Sequence, residues 1–97
     1  MTEETTDSLV IIPTYNEREN IARMIHTVFK LPTTFHLLIV DDNSPDGTAE
    51  LVESLQIQYP DRLFILKRAG KMGLGTAYIA GFRWGLQRHY TYFLEMD

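Results

Sequence analysis

The stretch Leu37-Leu38-Ile39-Val40-Asp41-Asp42-Asn43-Ser44-Pro45-Asp46-Gly47 decides the fold. Four aliphatic residues in succession predict a short buried strand. The strand runs directly into two carboxylates and a cluster of turn and cap residues. A helix is expected next, with Leu51, Val52 and Leu55 on its inner face and Tyr59-Pro60-Asp61 ending it.

The same alternation extends in both directions. Toward the N-terminus, Leu9-Val10-Ile11-Ile12 is an apolar run that Pro13 should stop, a first buried strand. Asn16-Glu17-Arg18-Glu19 fits a capping box, with Asn16 as cap and Glu19 reaching back. Behind it Ile21, Met24, Ile25, Val28 and Phe29 form one helical stripe, which Pro32 closes. Toward the C-terminus, Leu63-Phe64-Ile65-Leu66 is a third strand. A loop from Lys67 to Gly73 leads to a third helix, roughly Leu74 to Arg88. Ala77, Gly81 and Gly85 recur on one face of that helix, where small side chains would let its axis approach the sheet. Tyr92-Phe93-Leu94 is a fourth strand, followed by Glu95-Met96-Asp97. Strands alternating with amphipathic helices predict an α/β fold with a parallel sheet and right-handed crossovers.

Composition narrows the function classes. The chain of 97 residues makes one small domain with a modest core. With no cysteine, it can form neither a disulfide frame nor a thiolate metal site. A formal net charge of −4 argues against a nucleic-acid binder. No apolar run approaches the ~20 residues that span a bilayer. The polar, acidic opening Met1-Thr2-Glu3-Glu4-Thr5-Thr6-Asp7 is not a signal peptide, so a cytoplasmic location is expected. Membrane association is left to parts of a longer protein.

In parallel sheets, ligands bind outside the carboxyl ends of the strands. The unusual residues fall there: Pro13-Thr14-Tyr15-Asn16-Glu17 after the first strand, Asp41-Asp42 after the second, Asp97 after the fourth. Two adjacent carboxylates repel unless something positive or hydrogen-donating sits nearby. They could simply cap a helix, but Ser44 and Asp46 already offer caps. The functional alternative has one carboxylate accepting from the ring N–H of guanine or uracil. A magnesium-binding receiver domain also carries an acidic pair, but after its first strand, and the rest of its residue set does not fit here. Pro13-Thr14-Tyr15 is either ordinary loop chemistry or a stiff loop presenting a ring to a planar base.

Gly73-Leu74-Gly75 is not a dinucleotide fingerprint, because Tyr78 stands where the third glycine belongs. With Lys67, Arg68 and Lys71 before it, this glycine-rich helix start could receive phosphates. Equally, it could be a tight turn flanked by solvated cations. His26, His36 and His89 lack metal-ligand spacing and are expected at the surface or at helix ends.

Taken together, the motifs resemble one family. Val10-Ile11-Ile12-Pro13-Thr14-Tyr15-Asn16-Glu17-Arg18-Glu19-Asn20-Ile21 is similar to the opening of dolichyl-phosphate mannose synthases and their bacterial polyprenyl-phosphate relatives. Ile39-Val40-Asp41-Asp42-Asn43-Ser44-Pro45-Asp46-Gly47-Thr48 resembles their second motif. Lys71-Met72-Gly73-Leu74-Gly75-Thr76-Ala77-Tyr78-Ile79-Ala80-Gly81-Phe82 resembles their third. Glu95-Met96-Asp97 matches the approach to their Asp-x-Asp motif, with only its first aspartate present.

The resemblance implies an inverting family 2 glycosyltransferase with a Rossmann-like GT-A fold and a mostly parallel sheet in the order 3-2-1-4. Residues 1–97 would be its nucleotide-sugar-binding N-terminal part, with the C-terminal part absent. The implied donor is a nucleotide sugar, GDP-mannose or a UDP-sugar. The acceptor would be a polyprenyl or dolichyl phosphate, and the cofactor a divalent Mg2+ or Mn2+. Pro13, Tyr15, Glu17, Val40 and Asp42 would surround the nucleoside, and Asp97 would serve at the diphosphate as catalytic and metal-binding residue. A family 2 transferase with a carbohydrate acceptor and a nucleotide-binding module without turnover are the alternatives. An uncovered fourth strand would also offer its edge to a second copy.

Overall fold

The computed structural model describes residues 6–70 and 73–96. The elements run β1 (Ser8–Thr14), α1 (Arg18–Phe29), β2 (His36–Asp41), α2 (Thr48–Leu55), β3 (Leu63–Lys67), α3 (Leu74–Gln87) and β4 (Tyr92–Glu95). The four strands form one parallel sheet in the order β3-β2-β1-β4. This is the expected order.

Side chains alternate between the two faces of the sheet and build two cores. Val10, Ile12, Leu37, Ile39 and Leu63 meet Ile21, Ile25 and Val28 of α1 and Val52 and Leu55 of α2. On the other face Leu9, Ile11, Leu38 and Val40 meet Ala77 of α3, with Phe64, Leu66, Tyr78, Trp84, Tyr90 and Phe93 around them. Burying one such aliphatic side chain is worth roughly 1.5–3 kcal/mol, so the two central strands anchor the fold.

The small-residue face of α3 does what its spacing promised. A Cβ built at Gly81 would lie 2.8 Å from Ile11 Cγ2, and one at Gly85 would lie 2.4 Å from Phe93 Cε1. The helix sits where only hydrogen fits.

Pro13 does not stop β1, contrary to expectation: it lies inside the strand, in register with Val40. Ile11 O accepts from Met96 N on the β4 side, and Thr14 O accepts from Asp42 N on the β2 side. Pro13, in phase with Ile11, therefore turns its missing N–H toward the β4 flank, beyond the last paired residue Glu95. A strand tolerates proline where no ladder bond is due.

The capping box is also corrected. Asn16 has φ 57, in the left-handed region, and α1 begins at Arg18 with Glu17 as its N-cap and no side-chain cap bond of its own. Glu19 is then only the second helical residue, one turn position short of a box.

Of the three histidines, His26 lies in the last turn of α1, as expected; both it and His36 are half-buried, bonded through Nδ1 to the hydroxyls of Tyr59 and Tyr90. His36 opens a strand. Only His89 is exposed. Among the described residues, no helix is long and apolar enough to cross a membrane.

Candidate functional site

The carboxyl ends of β1, β2 and β3 lie side by side, with Thr14 in register with Asp41 and Asp41 with Lys67. The two adjacent aspartates are held in different ways. Asp41 is buried and accepts three hydrogen bonds: from Thr14 Oγ1 at 2.7 Å, Ser44 Oγ at 2.6 Å and Ser44 N at 3.0 Å. It ties the end of β1 to the turn after β2. Asp42 is buried as well and is met by a cation: Arg68 Nε lies 2.6 Å from Oδ1 and Nη2 lies 2.9 Å from Oδ2. That hydrogen-bonded fork raises the Arg68 pKa above its ordinary value. Hydrogen donors resolve the repulsion at one carboxylate, and a guanidinium resolves it at the other.

The turn after β2 also caps α1. Asn16 N donates to Ser44 Oγ at 2.9 Å, Glu17 N to Thr48 Oγ1 at 3.0 Å and Arg18 N to Asp46 Oδ2 at 3.1 Å. Asp46 Oδ1 accepts from Thr48 N at 3.0 Å and from the Thr48 hydroxyl. One carboxylate thus serves the first turns of two helices. The Thr48 hydroxyl is the main cause that holds the Asp46 carboxyl below the usual carboxylate range; desolvation opposes it, and the N–H groups of Arg18 and Thr48 add to the lowering. These bonds point the N–H groups that open α1 at protein oxygens.

The start of α3 is different. Gly73, its N-cap, has φ 97, and no side chain caps the helix. Lys67, one of the expected phosphate cations, is paired with Glu53 at 2.8 Å. Lys71 lies outside the described residues.

The nucleoside candidates fall on two adjoining strand ends. Pro13 stands opposite Val40, and the Thr14 carbonyl binds Asp42 N at 3.1 Å. Tyr15 follows, 38% exposed, and Glu17 is half-buried. Val40 is fully buried, its side chain in the α3-side core and its backbone between β1 and β3. Asp97 lies outside the described residues. Sequence reasoning gave no role to Thr14, and it treated Arg68 only as a phosphate cation. The signal for Arg68 was available: an arginine directly after β3, the neighbour of the strand whose end needs a positive partner.

Among the described residues, no three His, Cys, Asp or Glu side chains cluster as a metal site. Asp41 is committed to Thr14 and Ser44, and Asp42 to Arg68. These residues do not make a cation cage.

The described residues form a parallel α/β sheet in the order 3-2-1-4, with a carboxylate fixed at the end of its second strand. The chain belongs to glycosyl transferase family 2, which it matches over residues 9–97. It is 50% identical over 93 residues to a polyprenol monophosphomannose synthase of Mycolicibacterium smegmatis, covering 96% of this chain and 35% of that protein. It is 45% identical over 89 residues to an undecaprenyl-phosphate mannosyltransferase of Micrococcus luteus, covering 92% of this chain and 36% of that one. The chain thus spans about a third of the length of these curated relatives.

Among solved structures, a mannosyltransferase from Pyrobaculum calidifontis in complex with GDP-Man and Mn2+ superposes with a TM-score of 0.75 at 24% identity, over 80% of this chain and 24% of that one. S. aureus TarS in complex with UDP-GlcNAc superposes with a TM-score of 0.68 at 23% identity, over 91% of this chain and 26% of that one. At these identities the likeness shows the fold.

Proposed function

We propose that the chain is the nucleotide-sugar-binding N-terminal part of an inverting glycosyltransferase that moves mannose from GDP-mannose to a polyprenyl phosphate. The observation that carries this reading is Asp42: a carboxylate held rigidly at the end of β2, one backbone bond from the loop that presents Tyr15. The names of the two polyprenyl-phosphate relatives support the mannosyl group and the acceptor, and the GDP-Man held by the Pyrobaculum calidifontis mannosyltransferase supports the donor.

Asp42 would accept from the ring N–H of the base, Tyr15 would lie against its plane, and Pro13, Glu17 and Val40 would close the nucleoside pocket. Asp97 is assigned to the diphosphate, where the complete enzyme would use Mg2+ or Mn2+. That cation needs ligands beyond the described residues. An acceptor phosphate oxygen forms a bond to the anomeric carbon as the bond to the nucleoside diphosphate breaks, which inverts that carbon. The attacking oxygen is already anionic, so no base has to remove a proton. The work left to the protein is alignment and charge stabilisation. The acceptor places the reaction at a cytoplasmic membrane surface. The free edge of β4 is the contact through which a second copy would pair with the isolated chain.

The test uses labelled GDP-mannose and UDP-glucose with a polyprenyl phosphate and Mg2+ or Mn2+. It is run on this chain and on the chain completed to the length of its relatives. Mannosyl transfer by the completed chain and silence from the 97 residues is the expected result. A completed chain that binds nucleotide without turnover would make it a binding module, and transfer only to sugar hydroxyls would make the acceptor a carbohydrate. Losing a charge-assisted hydrogen bond costs roughly 1.5–3 kcal/mol, so Asp42→Ala should weaken GDP binding about tenfold or more in calorimetry.

A further inference from the structure

Arg68 follows β3 and is fixed first by its backbone, whose N–H donates to Asp41 O at 2.8 Å. Its side chain then reaches in two directions. Nε and Nη2 hold both oxygens of Asp42. Nη1 donates to Thr76 Oγ1 at 3.2 Å, and Nη2 lies 3.5 Å from Gly73 O. The Thr76 hydroxyl in turn donates to Gly73 O at 2.8 Å. Gly73 is the N-cap of α3 and Thr76 its third residue, in a first turn that has no side-chain cap. The planar guanidinium spends one edge on a carboxylate and the opposite nitrogen on a hydroxyl. A lysine, a single point charge, cannot make that double connection.

We propose that Arg68 is a positioning residue that latches the Asp42 carboxylate to the first turn of α3. Filling the nucleoside pocket then steadies the glycine-rich start of α3, and loosening that turn weakens the pocket. The coupling is reciprocal, as linkage requires. The proposal rests on the nucleotide reading above for its ligand, while the latch itself exists without one. Its mechanical sense is clear from placement: Asp42 ends β2, Thr76 begins α3, and Arg68 is the one described side chain shown bonding to both.

The experiment is residue-resolved amide exchange on the chain, with and without GDP or UDP, for the parent protein and for Arg68→Lys, Arg68→Gln and Thr76→Val. In the parent, nucleotide should slow exchange both at residues 14–17 and in the first turn of α3. In Arg68→Lys, protection at 14–17 should persist while protection in α3 is lost, and GDP affinity should drop about tenfold, the cost of a charge-assisted bond. Thr76→Val removes the Nη1 bond to α3 together with the Thr76–Gly73 bond, leaves the Asp42 fork in place, and reports on the latch even where Arg68→Gln fails to fold. Equal nucleotide protection of α3 in Thr76→Val, Arg68→Lys and parent overturns the latch. If the parent shows no nucleotide protection anywhere, the nucleotide reading fails. The nucleotide-free exchange rates then decide the latch separately: faster exchange in the first turn of α3 in Arg68→Lys supports it, and unchanged rates overturn it.

Discussion

β2 and β4 are both parallel strands of one sheet, but they live in opposite surroundings. β2 has neighbours on both sides, and five of its six residues are buried, Leu37 through Asp41. Among the described residues β4 pairs only with β1, and three of its four residues are exposed, among them Tyr92 at 61% and Leu94 at 39%. The contrast extends to the helix above: Ile79, Phe82 and Leu86 of α3 are exposed, while the inner faces of α1 and α2 are covered. The half of the molecule around β2 is a finished structure with a formed polar site. The half around β4 is an apolar flank, and the open cavity of about 270 Å³ lined by Ile11, Tyr78, Ile79, Phe82, Phe93 and Glu95 lies there. On the proposed reading, base recognition at Asp42 would fall on the first side, and the transfer chemistry at Asp97, two residues past β4 in sequence, would fall on the second.

The sharpest way to break this comparison is a matched pair of truncations. Ile39→Ala on β2 removes a fully buried side chain and should cost about 2–5 kcal/mol in denaturant unfolding. Leu94→Ala on β4 should stay within about 0.5 kcal/mol. Similar losses would mean that β4 is as tightly held as β2. Gly85→Ala probes the seam between the halves, where Phe93 and Leu9 leave no room for a methyl group. Overpacking of this kind costs roughly 1–3 kcal/mol, because the clash is with side chains that can partly move. The exposed edge predicts self-association of the isolated chain in sedimentation, reduced by Leu94→Lys, since a charge on an edge strand discourages pairing. A monomer at every concentration would show that the flank is self-sufficient.

The smallest effect expected is at Asp46. Its folded pKa is lowered below 3.8, so its contribution to stability is present above the unfolded value and disappears as pH falls through the folded one. Acid titration of Tm should show that component below pH ~4, and Asp46→Asn should remove it. An identical acid limb in the variant would assign the loss to other carboxylates.

Much of the fold was legible because each element carried its own period. The apolar runs 9–12, 37–40 and 63–66 and the stripe from Ile21 to Phe29 needed no partner to be recognised. The small face of α3 was equally plain, since Ala77, Gly81 and Gly85 exist for a contact their spacing reveals. What escaped was everything settled between distant loops. Asn16 looked like a cap for its own helix, but the cap comes from Asp46 and Thr48. Pro13 looked like a terminator, and only the short partner strand β4 shows why it is not. The acidic pair was seen to need something positive or hydrogen-donating nearby; Ser44 lies three residues on in the same turn, but the identities of Thr14 and Arg68 depend on strand order, which local sequence does not encode.

The shared cap at Asp46 sets an order of events for a chain emerging from a ribosome. The amides of Asn16, Glu17 and Arg18, which lead into α1, meet their acceptors only 28 to 31 residues later in sequence. Until Thr48 has left the exit tunnel, that helix starts with bare N–H groups and β1 has no neighbour. The first quarter of the chain therefore waits, and the arrival of the second strand and its turn completes two helix starts and a strand pair in one step.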